Sequence, residues 1–483
     1  MRGGSLDRTI RGPFPTGGAH AFYTRPMRRE VVISGVGAMS AAGVGAQAAW
    51  EALESGGPAI RPLTLFDPSG FATRLAGEIP ELKARDFVPK SYRKATKIMA
   101  RDSEIAVIAA QLALADAGLA SRGSGETASS ATPEGTPAIV PDRTGCQIGA
   151  GLLSAEINEL TAALATSTDD AGVFSLRKWG GEAGDGAMGN LPPLWMLKYL
   201  PNMLACHVTI IHGTEGPSNT ITCAESSGIL SLGEASRVIE RGDADVCFAG
   251  GCESKLNPLG IARLTFAKRL APTGEATDPA AFAMPYDPSS TGGLPGEGGA
   301  ILMVESGESA RARDPEKIYA EIAGFGAGHS PMPHFPGVLD PEATGDFVDT
   351  GLRRAVRAAL DDAGVSPDEI DAIVPGALGV PVADLGERNA LHEVFGERLG
   401  TIETITVAPA LGASSAGHGA LLVATAALAI RHQRLPARLH AGTPCGILAG
   451  ARAAGDAPLH NVLVCTPSLG GQVGALVLRR AGG

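Results

Sequence analysis

Cys223 and Glu225 stand two residues apart in the stretch NTITCAESSGILSLGEA, Asn219 to Ala235, where a β-branched run turns through small residues into a helix-forming one. A cysteine at such a corner would sit at the positive end of a helix dipole, which favours the thiolate, beside backbone N–H groups free to hold an oxyanion. That arrangement suits acyl transfer through a thioester. A glutamate is electrostatically at ease there, but as an acyl acceptor it would form a reactive anhydride. His418, between Gly417 and Gly419 in ASSAGHGALL, opens a second small-residue corner, where an imidazole could serve chemistry or make a structural hydrogen bond. Cys206 and His207 are adjacent; with NMLACHVTI read as a strand, they point to opposite faces and form no dyad.

The other chemistries are poorly supplied. The seven cysteines, Cys146, Cys206, Cys223, Cys247, Cys252, Cys445 and Cys465, are scattered and form no CxxC pair, so no metal is implied. They read as free thiols of a cytoplasmic protein in a reducing compartment, and no cofactor motif accompanies them. A formal charge of -11 argues against nucleic acid as a bulk electrostatic partner. The longest apolar runs, such as Ala420 to Ile430, fall short of the roughly 20 residues that a membrane helix needs. Protein and small-molecule partners remain.

Around these corners strands and helices alternate. EVVISGVGAMS, GCQIGAG, DVCFAGG and GAILMVE are short, nearly continuous apolar runs of the kind buried on both faces of a layered sheet, and SEIAVIAAQLALADAGLA has helical spacing with a stop at Gly118. The second half repeats this vocabulary: LRRAVRAALDDAGVS echoes the helix, and AIVPGALG, VLVCTPSLGG and GALVLRR echo the strands. An internal duplication follows. Residues 1–28 read as a disordered leader or a misplaced start. Two insertions, about 121–141 and 166–190, interrupt the first half; the first is almost free of apolar residues and reads as a mobile loop, while Phe174 and Trp179 give the second something to pack.

From Arg28 onward the chain resembles the β-ketoacyl-acyl-carrier-protein synthases of the thiolase superfamily, through FDPSGFATRLAGEIPE, LPNMLACHVTIIHGTEGPSNTI, RVIERGDADVCFAGGCE, PYDPSSTGGLPGEGGAILMVE and the closing LGGQVGALVLRR. The resemblance implies a thiolase-like α/β fold. Its duplicated halves, 29–305 and 306–483, would stack as a five-layer α-β-α-β-α sandwich. The family's nucleophile corner reads Thr-Ala-Cys-Ala-Ser-Gly; matching its glycine to Gly228 puts Glu225 at the nucleophile position and leaves Cys223 out of register. The first-histidine motif, His-Gly-Thr-x-Thr-Pro-x-Gly-Asp, matches GALGVPVAD, with Gly376 for the histidine and Pro381 and Asp384 kept. Lys-Ser-x-x-Gly-His matches ASSAGH, with Ala413 for the lysine and His418 retained as the second histidine. The Gly-Phe-Gly-Gly gate, whose backbone contributes to the oxyanion hole, becomes Ser468, Leu469, Gly470 and Gly471. Met196 falls in a segment that would line or cap a substrate tunnel, and PSNTITCA would lie in a dimer interface.

Four departures at one site imply a retired condensing centre. The pattern is similar to the chain length factors of type II polyketide synthases, which lack the active cysteine and pair with an active ketosynthase. The expected function is a non-catalytic subunit in a heterodimer for fatty acid or polyketide biosynthesis, served by acyl carrier protein. The basic run Arg93, Lys94, Lys97 and Arg101 would either meet the carrier or simply be solvated. Two alternatives stay open. One is a divergent 3-oxoacyl synthase or malonyl decarboxylase using Cys223 or Glu225 with His418; the other is a homodimeric scaffold that binds acyl carriers.

Overall fold

The computed structural model describes residues 28–124, 133–152, 154–181, 186–330, 347–439 and 451–482; the expected leader up to residue 27, Cys445, residues 125–132 of the first insertion and residues 182–185 of the second lie outside them. Ten strands carry the architecture. The first five are β1 (Val31–Ser40), β2 (Thr144–Gly149), β3 (Ser218–Ile221), β4 (Val246–Ser254) and β5 (Glu297–Ser306). They lie side by side in the order β1-β5-β4-β2-β3. The pairs β1/β5 and β5/β4 are antiparallel; β4/β2 and β2/β3 are parallel.

The second five are β6 (Ala320–His329), β7 (Ala372–Val374), β8 (Glu403–Thr404), β9 (Asn461–Thr466) and β10 (Gln472–Arg479), in the order β6-β10-β9-β7-β8. Their pairing directions repeat those of the first set, two antiparallel and then two parallel. The sets join where β1 and β6 pair antiparallel through Val32 with Glu321 and Ile33 with Ala320. The repeated vocabulary of the sequence is thus a repeated topology.

Six helices fill the layers: α1 (Arg101–Asp116), α2 (Met203–His212), α3 (Ser227–Glu240), α4 (Thr350–Ala363), α5 (Pro381–Phe395) and α6 (His418–His432). α3 and α6 form the central layer. Ile229 and Leu232 of one and Leu421 and Leu422 of the other share a core with Ile33 and Leu302 from the first sheet and Val464 and Leu476 from the second. Outside, α1 and α2 cover Ile148, Phe248 and Met303, while α4 and α5 cover Ile373, Leu463 and Val477. Sheets covered on both faces explain why the strands are continuous apolar runs rather than alternating ones.

A paired glycine spacing sets the depth of the outer helices. A Cβ at Gly35 or Gly37 of β1 would come within 2.3 and 1.9 Å of the α1 carbonyls of Ala113 and Ala109. In the other half, Gly324 and Gly326 of β6 would meet Ala359 O at 2.2 Å and Ala355 O at 2.0 Å of α4. Only glycine lets these helices lie directly on the strands.

Two local expectations are corrected. Cys206 and His207 sit in helix α2, not in a strand; the run is apolar on nearly every face because α2 is packed against α1 and β2, and left-handed Gly213 closes it. Helical neighbours also diverge, so the exclusion of a dyad stands on different geometry. The basic run is a pair of 3-10 turns, Lys90–Tyr92 and Ala95–Ile98, followed by α1. Arg101 does not belong to its exposed surface, because its guanidinium forks onto buried Glu297. Among the described residues, no helix is long and apolar enough to cross a membrane.

Candidate active site

Two corners, one from each half, meet in the central layer. After β3 the chain passes Cys223, makes one 3-10 turn at Ala224–Ser226 and enters α3; in the other half a 3-10 turn at Ser415–Gly417 enters α6. Ala224 and Ser415 both have positive φ, 45° and 46°, a strained conformation for residues with a Cβ. The corner was therefore duplicated with the fold, and Glu225 corresponds in position to Ala416. Strain held at the same place in both halves fixes the heads of α3 and α6, and with them the side chains between.

Glu225 is 5 % exposed and fully engaged. Its Oε1 accepts from Nη2 of Arg269 at 2.5 Å and its Oε2 from the N–H of Leu469 at 2.9 Å. Burial pushes the carboxyl up, but the charge of Arg269 and the N–H of Leu469 more than offset this and hold it below the usual carboxylate range. Glu225 is thus an anion at the head of a helix, bound to a buried cation. Leu469 lies in the gate segment whose backbone the resemblance links to the oxyanion hole.

His418 turns to the space left by the missing first histidine. Its Nε2 lies 2.9 Å from the carbonyl oxygen of Gly376, which can only accept, so Nε2 carries the proton. Nδ1 is buried and finds no partner. Burial lowers the imidazole pKa, against the pull of the Gly376 carbonyl and Glu225, and the ring is neutral.

Around Gly376 the vacated volume has been refilled. A Cβ there would meet Thr466 Oγ1 at 2.7 Å, Pro467 Cδ at 2.9 Å and Glu387 Oε1 at 3.2 Å. The Gly376–Gly379 loop is held by carboxylates instead. Glu387 accepts from the N–H groups of Gly376 (2.8 Å) and Ala377 (3.0 Å) and from the Tyr286 hydroxyl (2.6 Å); Asp384 accepts from Leu378 (3.1 Å), Gly379 (3.0 Å) and Tyr286 (2.9 Å). Burial pushes Asp384 up to about 7 and Glu387 up to about 8, although these donors pull the other way.

Ala413, at the lysine position, lines a cavity of ≈ 20 Å³ together with Glu225, Arg269, Leu378 and Ser415. That is room for a single water. An acyl chain has no place beside Glu225.

Residues 28–310 match the family model "Beta-ketoacyl synthase, N-terminal domain" and residues 319–442 match "Beta-ketoacyl synthase, C-terminal domain". The chain belongs to the β-ketoacyl synthase family. It is 30% identical over 455 residues to the tetracenomycin polyketide synthase ketoacyl synthase beta subunit of Streptomyces glaucescens, covering 94% of this chain and 98% of that one. It is 28% identical, over the same shares, to 3-oxoacyl-[acyl-carrier-protein] synthase 2 of Staphylococcus aureus. Among solved structures, the ishigamide ketosynthase/chain length factor superposes with a TM-score of 0.74 at 26% identity, covering 94% of this chain and 100% of that chain.

Within this β-ketoacyl synthase chain the structure brings Glu225, Leu469, Gly376, His418 and Ala413 to one centre and leaves two candidates at its margin. Cys223 lies past the end of β3, not on the strand; its N–H donates to Ser227 Oγ at 2.8 Å, and burial pushes its thiol pKa up, the opposite of what a nucleophile needs. Met196, in the short helix Trp195–Tyr199, is 54% exposed and does not line the cavity beside Glu225. Leu469 and Gly470 are partly exposed, and Gly471 is buried.

Sequence reasoning missed Arg269. It sits in the loop FAKRLAPTG, where an arginine beside Lys268 reads as surface charge. The available signal was indirect: an ionised glutamate at a buried helix head requires a cation. Glu387 and Tyr286 were missed too, since loop-anchoring carboxylates leave no mark in spacing.

Proposed function

We propose that this chain is a non-catalytic, chain-length-factor-like β-ketoacyl synthase subunit that pairs with an active ketosynthase in polyketide or fatty acid biosynthesis. The observation that carries this is the Glu225–Arg269 pair. Decarboxylative condensation needs a thiolate to hold the acyl group and donors to stabilise the charge that develops when carbon dioxide leaves. Here the nucleophile position holds a carboxylate in an ion pair, and that carboxylate takes the Leu469 N–H. The imidazole that remains is neutral and turned to a carbonyl. The likeness to the tetracenomycin beta subunit and to the ishigamide complex supports the same reading.

The proposed partner face is β3. It is the outer strand of its sheet, and none of its four residues is buried. An unpaired strand edge is a template for a strand of another chain. Acyl carrier protein, which is acidic in the resembled systems, would approach Lys90, Lys94 and Lys97, three exposed cations in a chain of net charge -11. We further propose the division of the chain into halves at 305/306, just before the Gly307–Arg313 helix.

The test is co-expression with a ketosynthase and exposure to a malonyl or acyl thioester of the carrier. The expected result is a complex in which only the ketosynthase is acylated. Acylation of this chain, or failure of every ketosynthase tried to form a complex with it, overturns the proposal.

A further inference from the structure

One face of α5 closes a cavity of ≈ 210 Å³ that shares no lining residue with the cavity beside Glu225. Pro381, Val382, Leu385 and Arg388 come to it from successive turns of the helix, and Tyr286 and Pro288 face them from the loop opposite. The Tyr286 hydroxyl is already given to Glu387 at 2.6 Å, so it offers the cavity no free donor. The walls are apolar, rigid and flat.

Two carboxyls complete the lining, and both are turned away from a guest. Asp384 is 2% exposed; its Oδ1 accepts the Leu378 N–H at 3.1 Å and its Oδ2 the N–H groups of Gly379 and Tyr286 at 3.0 and 2.9 Å. Asp287 is 5% exposed, and its Oδ1 accepts the N–H of Ser289 at 2.8 Å and its hydroxyl at 2.5 Å.

Arg388 is the group with capacity to spare. Asp384 precedes it by four residues, the helical spacing at which an acid and an arginine pair, but Asp384 is spent on the backbone and no ion pair forms. Its neighbour Glu387 is likewise turned inward, onto the N–H groups of Gly376 and Ala377. Arg388 is left with one neutral acceptor: its Nε and Nη2 share Asn389 Oδ1 at 3.2 and 3.1 Å, and the Asn389 amide is itself fixed by donating to Phe347 O at 2.7 Å. Nη1 meets no acceptor among the described residues, yet it is not sealed away from solvent. The guanidinium is thus held along one edge, while the fork of Nη1 and Nη2 stays open, the geometry that takes a carboxylate through two parallel bonds.

We propose that this cavity binds a small aromatic carboxylate, its two oxygens on the Arg388 fork and its ring against Pro288, Pro381, Val382 and Leu385. An apolar cavity of about 150 Å³ is enough for benzene, so the volume suits one ring with its carboxyl group. A cation of the same size would meet the guanidinium and find both carboxyls occupied; a neutral ring would leave the fork unused. The inference is independent of the function proposed above, since it uses neither the Glu225–Arg269 pair nor β3.

The test is titration calorimetry of the full chain with benzoate, using benzyl alcohol and benzylammonium as neutral and cationic counterparts of similar size. Saturable binding of benzoate is expected, at least tenfold tighter than benzyl alcohol, with none by benzylammonium. Arg388 is partly exposed, so Arg388→Gln should fold; it should weaken benzoate about tenfold or more and leave benzyl alcohol unchanged. Val382→Phe fills the cavity and should lose both guests, whereas Arg61→Gln, at an exposed arginine outside it, should change nothing. Equal affinity for benzoate and the alcohol, indifference to Arg388→Gln or to Val382→Phe, or no saturable binding of benzoate overturns the proposal.

Discussion

Oε1 of Glu225 and Nη2 of Arg269 lie 2.5 Å apart across 44 residues of sequence, both side chains shut away from solvent. Breaking such a pair from one side leaves a charge buried without its counter-ion, at a cost of about 3–5 kcal/mol, whereas replacing both partners is far milder. Arg269→Met should therefore lower stability by about that amount, and Glu225→Gln with Arg269→Met should recover most of it. Urea unfolding of the four chains measures the coupling. Additive effects would mean that the pair holds nothing together.

Restoring the thiol should not restore condensation. In Glu225→Cys the new cysteine would stand at a helix head beside Arg269, and its pKa should drop below the ordinary value of about 8.5. Its ultraviolet thiolate absorbance should titrate at lower pH than that of Cys223, whose thiol burial pushes up. No condensed product should appear, because Gly376 and Ala413 supply neither imidazole nor ammonium. Adding Gly376→His forces a Cβ against Thr466 and Pro467, and should cost about 1–3 kcal/mol by overpacking. Product from the single variant, detected by mass spectrometry of the carrier, would show that the rest of the centre is alive.

Much of this is legible in the sequence, for a physical reason. Strands buried on both faces must be apolar throughout, so EVVISGVGAMS in the first half and AIVPGALG, VLVCTPSLGG and GALVLRR in the second announce a repeated layered sheet; the glycine spacing that seats the outer helices shows only in the packing. The positions of Glu225, Gly376, Ala413 and His418 follow from matching the motifs of the resembled synthases. Arg269 could not be read, since its pairing depends on where a distant loop comes to rest. NMLACHVTI reads as a strand because a helix buried on most sides lacks the polar stripe that identifies it.

Stability should fall as the pH rises through neutrality. Burial raises Asp384 to about 7 and Glu387 to about 8, while in the unfolded chain they ionise near about 3.9 and 4.3. Between about pH 4 and 8 the folded state therefore holds more protons than the unfolded one, and each group subtracts up to about 1.4 kcal/mol per pH unit until its folded pKa is passed. Glu225, held below its ordinary pKa, acts in the opposite sense and only at lower pH, where its contribution is lost as it protonates. Glu387→Gln should flatten the slope of unfolding free energy between pH 5 and 8. An unchanged slope would place the titration elsewhere.

The edge of β3 offers the sharpest test of assembly. Thr220 donates its N–H to the side chain of Asn219 at 2.9 Å, so it contributes no donor to the ladder with β2. Proline at an outward-facing edge position removes only the local bond to the Asn219 side chain and none of the ladder with β2, but it blocks pairing with a strand from another chain. Thr220→Pro should thus leave the chain folded, with its circular dichroism and urea midpoint close to those of the parent. It should weaken association with a ketosynthase at least tenfold, as read by sedimentation velocity of the mixed subunits. If the variant assembles as well as the parent, β3 is not the interface; if it fails to fold, Thr220→Lys asks the same question with a side chain that a solvated edge tolerates and a paired one resists.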